Sequence, residues 1–268
     1  MPSETYKGKT PMSPPEKIGF VLSTGRTGTK TLAEGLSGDG IASPHQPRYS
    51  RLLTVASNYY LHGWLPRRAL EWLVVRIRGN QLGRANCHWY IQVFSLDHLP
   101  AKIISERYPN VYIVHIVRDP RTFVPSYINW THTRSKSYIA NKFVYGWHPS
   151  GFFTGHYCWR TWRRMNELQR VCWHWTYKNQ HLEDLFSGYP RYLRIRFEDL
   201  FSSEDGSTMQ KLCRFLSIPD EERFQVLFRE RKNVNNRRVC PPWDAWQRES
   251  RDELLEICGG KMHDYGYV

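Results

Sequence analysis

The chain contains no long hydrophobic run. No stretch of about eighteen consecutive apolar residues, the length that a bilayer-spanning helix requires, occurs among its 268 residues. Its first residues are polar and rich in proline, and they lack the apolar core of a signal peptide. We therefore expect a cytoplasmic protein, with a flexible tail over residues 1–16 and one folded domain over residues 17–268.

Paired cysteines are also absent. The six cysteines are scattered along the chain and form no C-x-x-C pair. No disulfide framework is indicated, so reduced thiols are the expectation; a zinc site at His156, Cys158, Cys172 and His174 is the minor alternative to buried free thiols.

Acidic residues are few compared with basic ones. There are 25 of the former and 38 of the latter, which gives a formal net charge of +13. This positive field favours anionic partners: an anionic cofactor, an acidic acceptor, a membrane surface or nucleic acid. Aromatic residues reach 15%, but no RNP, KH or zinc-finger pattern accompanies them, and no nucleic-acid partner is expected.

Short apolar runs alternate with segments of helical periodicity along the chain. The runs predict strands at residues 18–22, 41–43, 89–94, 111–117 and 192–197. Helices are predicted at residues 32–36, 64–78, 99–108, 122–130, 156–185, 208–216, 220–228 and 249–258. This alternation indicates the α/β class, as a single domain with a central, mostly parallel sheet flanked by helices.

The first apolar run leads into a turn rich in glycine and hydroxyl groups, Ser23 to Thr29, and then into a helix. A strand that turns on glycines into a helix presents free N–H groups and the positive end of a helix dipole at one point, which is a site for an anion. Arg26 and Lys30 add positive charge. The nucleotide-triphosphate loop G-x-x-x-x-G-K-[ST] is excluded, because Thr24 and Thr29 stand where its glycines are required.

A second anion-binding position follows the strand at residues 111–117. Arg118 stands at its carboxyl end, where ligands bind in open α/β sheets, and Ser126 follows in the next helix. An arginine fork and a hydroxyl donor suit a phosphate. The alternative is that Arg118 only forms an ion pair with Glu198 or Asp199.

Together these motifs resemble those of sulfotransferases that use 3′-phosphoadenylyl sulfate (PAPS). The segment Arg26-Thr27-Gly28-Thr29-Lys30 is similar to the 5′-phosphosulfate loop, and Arg118-Asp119-Pro120 with Ser126 is similar to the 3′-phosphate site. Residues 196–200, RFEDL, and the closing segment from Pro241 to Tyr267 also resemble that family. The resemblance implies the P-loop-NTPase-like sulfotransferase fold, PAPS as donor, 3′-phosphoadenosine 5′-phosphate (PAP) as product, and no metal.

The resemblance also implies roles for individual residues. Arg26 replaces a catalytic lysine and would stabilise charge on the bridging oxygen, while Arg118 and Ser126 would bind the 3′-phosphate. The 5′-phosphate would be bound by Thr27, Gly28, Thr29, Lys30 and Thr31. Arg237 and Arg238 stand near the family's R-K-G segment and would close over the 3′-phosphate. Thr31 replaces the tryptophan that stacks on adenine in cytosolic members, so this contact must come from elsewhere.

Two histidines are candidates for the base that deprotonates the acceptor. His98 lies in Asp97-His98-Leu99-Pro100, which resembles the [ST]-H-L-P motif of cytosolic members. His45 precedes Gln46 in a segment where other members carry a glutamate, and glutamine cannot act as a base. The sequence leaves the choice open.

The acceptor is expected to be a small molecule, a carbohydrate or a lipid, with an aromatic pocket formed by residues 130–157. The arginine-rich helix at residues 64–78 is either an ordinary packed helix or a peripheral membrane or subunit contact. Two other functions remain as alternatives: a nucleotide-dependent phosphoryl transferase, and a basic binding module without catalysis.

Overall fold

The fold is built on a five-stranded parallel sheet. The computed structural model describes residues 14–38, 40–133, 154–202, 206–218 and 239–268. The strands are β1 (Lys17–Ser23), β2 (Ile41–Ala42), β3 (Trp89–Val93), β4 (Val111–Val117) and β5 (Tyr192–Arg196). Their order in the sheet is β2-β3-β1-β4-β5, and every neighbouring pair is parallel. This confirms the predicted α/β class.

Helices connect the strands. They are α1 (Thr29–Leu36), α2 (Ser50–Leu61), α3 (Arg67–Val74), α4 (His98–Ser105), α5 (Pro120–Thr133), α6 (Trp159–Arg164), α7 (Glu167–Phe186), α8 (Phe197–Ser202), α9 (Ser207–Leu216) and α10 (Arg248–Asp264). None of the helices in the described ranges combines the length and the apolar character that crossing a bilayer requires.

Both faces of the sheet are covered, which explains the continuous apolar character of its strands. One face packs against α2, α3, α4 and the end of α7, and the other packs against α1, α8 and α9. A third apolar cluster joins α5, α7 and α10 beyond the end of β4. Because β1, β3 and β4 are parallel, their carboxyl ends lie at the same edge of the sheet. Both predicted anion-binding segments begin at this edge.

The strand predicted at residues 111–117 is confirmed in full, whereas two helix predictions were wrong in extent. The long helix expected at residues 156–185 is two helices, because Asn166 caps the start of α7. The Asn166 side chain accepts a hydrogen bond from the N–H of Gln169, and the Gln169 side chain accepts one from the N–H of Asn166. The helix expected at residues 64–78 starts only after Pro66 and becomes a π-helix at Val75–Gly79. Helix α2 was not predicted, and the predicted helix at residues 220–228 lies outside the described residues.

A buried histidine joins the middle of the sheet to α7. His115, on β4, is fully buried; its Nε2 lies 2.9 Å from Oδ1 of Asn179, and its Nδ1 lies 2.8 Å from the hydroxyl of Tyr192. Asn179 Oδ1 can only accept, so Nε2 carries the proton and Nδ1 accepts from Tyr192. Burial lowers the pKa of His115 to about 4.

This histidine makes the stability of the chain sensitive to acid. Between pH 6.5 and about 4 the unfolded chain binds a proton at His115 that the folded chain does not, so stability falls as the pH falls. We expect His115→Gln, which cannot titrate, to remove on the order of 3 kcal/mol of this pH dependence. Urea unfolding at a series of pH values measures it. The exposed His88→Gln is the control, and parallel curves for wild type and His115→Gln would contradict the assignment.

Candidate functional site

The turn after β1 is organised by one serine. The Ser23 hydroxyl oxygen accepts hydrogen bonds from the N–H of Gly25, at 3.1 Å, and from the hydroxyl of Thr27, at 2.8 Å. Ser23 and Thr27 are fully buried. The turn is therefore held from beneath by side chains of its own sequence.

Three residues of this turn have left-handed backbone conformations: Gly25 (φ 91°), Arg26 (φ 55°) and Gly28 (φ 66°). For a non-glycine residue such as Arg26 this conformation costs about 1 kcal/mol, and such strain is concentrated at functional sites. Successive turns of this kind point backbone N–H groups toward a common point. The first turn of α1 has no acidic residue and no side-chain cap, so its N–H groups remain available to an anion.

A close approach explains why Gly28 must be glycine. A Cβ atom at this position would lie 2.5 Å from Cζ of Phe201, on α8. Both its positive φ and this contact exclude a side chain. The start of α1 thus lies directly against α8.

Arg118 connects the end of β4 to this turn. Its Nη1 donates to the carbonyl oxygen of Arg26, and its Nε donates to the Thr122 hydroxyl at 3.0 Å. The guanidinium lies over the ring of Phe197, 4.6 Å from the centroid, and the Arg118 carbonyl accepts from the indole N–H of Trp175 at 2.8 Å. Four elements therefore fix the position of this residue.

The ion pairs considered as an alternative for Arg118 are not formed. Asp199 pairs instead with Arg196, at 2.8 Å. Glu198 accepts from the backbone N–H of Asp119 at 3.0 Å and from the hydroxyl of Tyr267 at 2.8 Å. Burial lowers the pKa of Arg118 to about 10, against the opposing effect of Glu198. The guanidinium therefore remains charged at neutral pH and is not neutralised by a salt bridge among the described residues.

Arg26 and Ser126 meet although one hundred residues separate them. Nε of Arg26 donates to the Ser126 hydroxyl at 3.3 Å. With the Arg118 contact, this brings the two predicted anion-binding segments to one place, where two arginines, a hydroxyl and a helix N-terminus converge.

His45 and Lys30 flank the start of α1. Nε2 of His45 lies 3.3 Å from the hydroxyl of Thr29, while Lys30 is exposed and Thr31 is buried. Desolvation of the ring lowers the pKa of His45, and the charge of Lys30 acts in the same direction. His45 is therefore neutral at neutral pH.

His98 lies in a separate, fully buried position at the start of α4. Its Nδ1 is hydrogen-bonded to the amine of Lys178, which projects from α7 and is also fully buried. Burial lowers the pKa of Lys178 to about 7, opposed by the charge of Asp97. Burial, and then the charge of Lys178, hold the pKa of His98 well below its ordinary value.

A buried ion pair fixes the residue before His98. Asp97 accepts from Nη2 of Arg78 at 2.5 Å, and the same nitrogen lies 2.8 Å from the Ser50 hydroxyl. Asp97 and Arg78 are both almost completely inaccessible to solvent. Neither Arg78 nor Lys178 is among the site residues predicted from the sequence. Their only signal there is that each is a basic residue within a helix of otherwise apolar spacing.

Several buried polar atoms in this region have no hydrogen-bond partner among the described residues. They are Oγ1 of Thr24, both amide atoms of Gln92, Oδ1 of Asp97, Nε2 of His98 and Nε2 of His181. Buried polar atoms without protein partners are rare in folded proteins and are candidates for contacts with a ligand. Thr24 directly follows β1, and Gln92, Asp97 and His98 lie on or shortly after β3, so these atoms are near strand ends where ligands bind in open α/β sheets.

Comparisons with known proteins agree with this geometry. A family model described as "Sulfotransferase family" matches residues 84–222, just over half of the chain. The chain belongs to the sulfotransferase family. The match includes His98, Arg118 and Ser126, but it begins after the turn that follows β1. Sulfuryl transfer is therefore supported as the general activity of the chain.

Solved structures show the same fold. The sulfotransferase domain from the curacin biosynthetic pathway is 17% identical with a TM-score of 0.55, over 92% of this chain and 98% of that one. Mouse sulfotransferase SULT7A1 complexed with PAP is 14% identical with a TM-score of 0.51, over 94% and 86%. A sulfotransferase from Alicyclobacillus acidocaldarius is also 14% identical with a TM-score of 0.50, over 93% of each chain. No curated protein matches the chain in sequence.

Some of the sequence predictions for this sulfotransferase concern residues that the structure does not describe. Arg237 and Arg238, and most of the aromatic segment at residues 130–157, lie outside the described residues. Within the described ranges, no group of three or more His, Cys, Asp or Glu side chains is arranged to hold a metal ion.

We expect Gly28→Ala to destabilise the fold by at least about 2 kcal/mol, because it adds backbone strain and a clash with Phe201. The matched control is Gly259→Ala, in α10, where an added Cβ meets no atom within 4 Å; this change should stabilise the helix by about 0.5–1 kcal/mol. Urea unfolding measures both. Equal stability of Gly28→Ala and wild type would show that the turn is not constrained as described.

Proposed function

We propose that this sulfotransferase transfers the sulfuryl group of PAPS to a hydroxyl or amine of its acceptor. The observation that carries the proposal is the junction of the two anion-binding segments: Arg118 donates to the Arg26 carbonyl, and Arg26 donates to Ser126. A donor with two separate phosphate groups requires two such positions at one site. The PAP complex of mouse SULT7A1, which has the same fold, is in keeping with it.

The residues present fit this donor. N–H groups of Gly28, Thr29 and Lys30 would bind the 5′-phosphate at the start of α1. Arg118 and Ser126 would bind the 3′-phosphate through a charged fork and a hydroxyl. Arg26 would stabilise the negative charge that develops on the departing phosphate oxygen, and it keeps its own proton because arginine remains charged.

We further propose His98 as the base that removes the acceptor proton. Its Nε2 has no partner among the described residues. The segment that leads from β3 to His98 lies against the turn after β1 (residues 23–29, the proposed phosphate turn), since a Cβ at Gly25 would be 3.7 Å from the Ser95 hydroxyl. His45, in contrast, is exposed and contacts the Thr29 hydroxyl, which suits a residue that supports the turn.

Lys178 decides which nitrogen of His98 can accept a proton. A charged Lys178 donates to Nδ1, and the neutral ring then carries its proton on Nε2. A neutral Lys178 accepts from Nδ1–H and leaves a lone pair on Nε2. Because burial lowers the pKa of Lys178 to about 7, the competent form becomes the major one above this pH. The acceptor proton then moves to Nε2 as the new oxygen–sulfur bond forms and the bond from sulfur to the phosphate oxygen breaks.

The acceptor side of His98 is aromatic. The rings of His98 and His181 meet edge to face. His181 stacks on Tyr177, and Tyr177 stacks on Trp173. The last three residues follow one another at intervals of one helical turn along α7. These rings form an aromatic row next to the proposed base. We therefore propose an acceptor whose hydroxyl is attached to an apolar or aromatic group.

Binding of PAP tests the donor assignment. We expect wild type to bind PAP without metal in the micromolar range, and Arg118→Ala to weaken binding by about a hundredfold, because a charge-assisted contact to phosphate is lost. Isothermal titration measures both. Arg248→Ala, which removes an exposed arginine of α10, is the matched control and should bind PAP normally. Binding of ATP–Mg²⁺ in place of PAP would favour the phosphoryl transferase, and binding of neither would favour a non-catalytic module.

Activity with PAPS tests the base. We expect His98→Asn to lower kcat by about a hundredfold or more with little change in PAP affinity, and His45→Asn to stay within a few-fold of wild type. The wild-type rate should rise with pH around 7 and level off above it. Full activity of His98→Asn together with loss in His45→Asn would reverse the assignment.

A further inference from the structure

Large apolar side chains are exposed mainly in one part of the molecule. Five of the eight that are exposed in the described residues lie between residues 49 and 72, and the other three are spread over residues 239–268. We call these five side chains, together with the exposed Arg48, Arg68 and Arg76, the α2–α3 face: Tyr49, Leu52, Tyr59, Trp64 and Trp72. Trp64 and Trp72 are 58% and 62% exposed, which is unusual for a side chain of this size.

The α2–α3 face forms the outer side of one helical layer. Leu53 of α2 and Leu70 of α3 point inward and belong to the same apolar cluster against the sheet. The opposite sides of both helices therefore face outward. In the segment between the two helices, the ring of Trp64 meets the ring of Tyr59, on α2, at 5.6 Å.

Arginines accompany these side chains. Residues 40–96 contain seven arginines, no lysine and a single acidic residue, Glu71, which pairs with Arg67 at 2.6 Å. On the outer side, Arg68, Trp72 and Arg76 follow at intervals of four residues and are all exposed. The guanidinium of Arg76 lies 5.6 Å from the ring of Trp72. No carboxylate pairs with Arg68 or Arg76 in the part of the chain that the structure describes.

We propose that the α2–α3 face binds the surface of a bilayer that contains anionic lipids. Exposed tryptophan and tyrosine rings occupy the boundary between headgroups and acyl chains, where one end of the ring is apolar and the other meets water. Arginines beside them attract the negative headgroups. The chain would lie on the membrane without crossing it.

The composition of the face favours lipid over single-stranded nucleic acid. Bases stack on aromatic rings beside basic residues, but Leu52 offers no ring for stacking, whereas the acyl boundary accepts aliphatic and aromatic side chains alike. A second copy of this chain would bring two arginine-rich faces together, which like-charge repulsion opposes. Anionic lipid satisfies both the apolar and the charged part of the face.

The position of the face relates to the proposed function. Arg48 and Tyr49 at its start follow His45, which contacts the phosphate turn, by three and four residues. Together with the proposed transfer, on which this point rests, binding through the face would hold the transfer site near the membrane surface. An amphipathic acceptor embedded in the lipid would then be within its reach.

Co-sedimentation of the full chain with vesicles tests the proposal. We expect binding to phosphatidylcholine vesicles that contain phosphatidylserine, and much weaker binding to phosphatidylcholine alone. Arg68→Gln with Arg76→Gln should weaken binding by about thirtyfold, since each arginine near an anionic surface contributes about a fivefold gain. Trp64→Ser with Trp72→Ser should weaken binding to a similar or greater degree.

The control removes the same types of side chain elsewhere: Arg248→Gln with Leu255→Ser, both exposed on α10, should bind vesicles as wild type does. All variants should bind PAP normally, which separates this proposal from the donor assignment. Vesicle binding that is unchanged in both face variants would overturn the proposal. The proposal would also fail if wild type were a dimer that the tryptophan variants dissociate. It would fail as well if a single-stranded oligonucleotide bound through these tryptophans while vesicles did not bind.

Discussion

The site depends on the contact between the Arg118 guanidinium and the carbonyl oxygen of Arg26. Arg26 has a left-handed backbone conformation that is unfavourable for its residue type, and the contact stabilises the carbonyl orientation that this conformation creates. Arg118 is itself fixed by Thr122, Phe197 and Trp175. The shape of the turn after β1 is therefore set by residues far away in sequence, and this turn and the end of β4 cannot change independently of each other.

The parts of the fold that sequence reasoning predicted have local physical causes. The run at residues 111–117 is apolar throughout because both faces of β4 are buried, and this pattern is visible without a partner. The turn from Ser23 to Gly28 was identified by its glycines and hydroxyls, which its conformation requires. Arg118 could be placed because it directly follows a recognisable parallel strand, and ligands bind at such strand ends.

Other parts depend on contacts that no local pattern reveals. Lys178 lies on a helix whose apolar spacing was recognised, but its amine is buried and hydrogen-bonded to His98 of another helix. A lysine side chain on a helix is normally expected to be exposed to solvent. The break before α7 was missed for a different reason: the apolar spacing continues through it, and only the reciprocal bonds of Asn166 and Gln169 mark the new start.

The π-helical turn Val75–Gly79 affects which residues of its segment lie on the buried side of the helix and which lie on the exposed side. The buried positions Leu70, Val74, Arg78 and Leu82 recur every four residues, as do the exposed positions Arg68, Trp72, Arg76 and Asn80. In a regular α-helix, which rotates about 100° per residue, such rows would drift by about 40° per step. A π-helix rotates less per residue and corrects this drift. Loss of one residue from the turn would rotate Arg78 away from Asp97, so the length of this short segment is constrained even where its side chains are exposed.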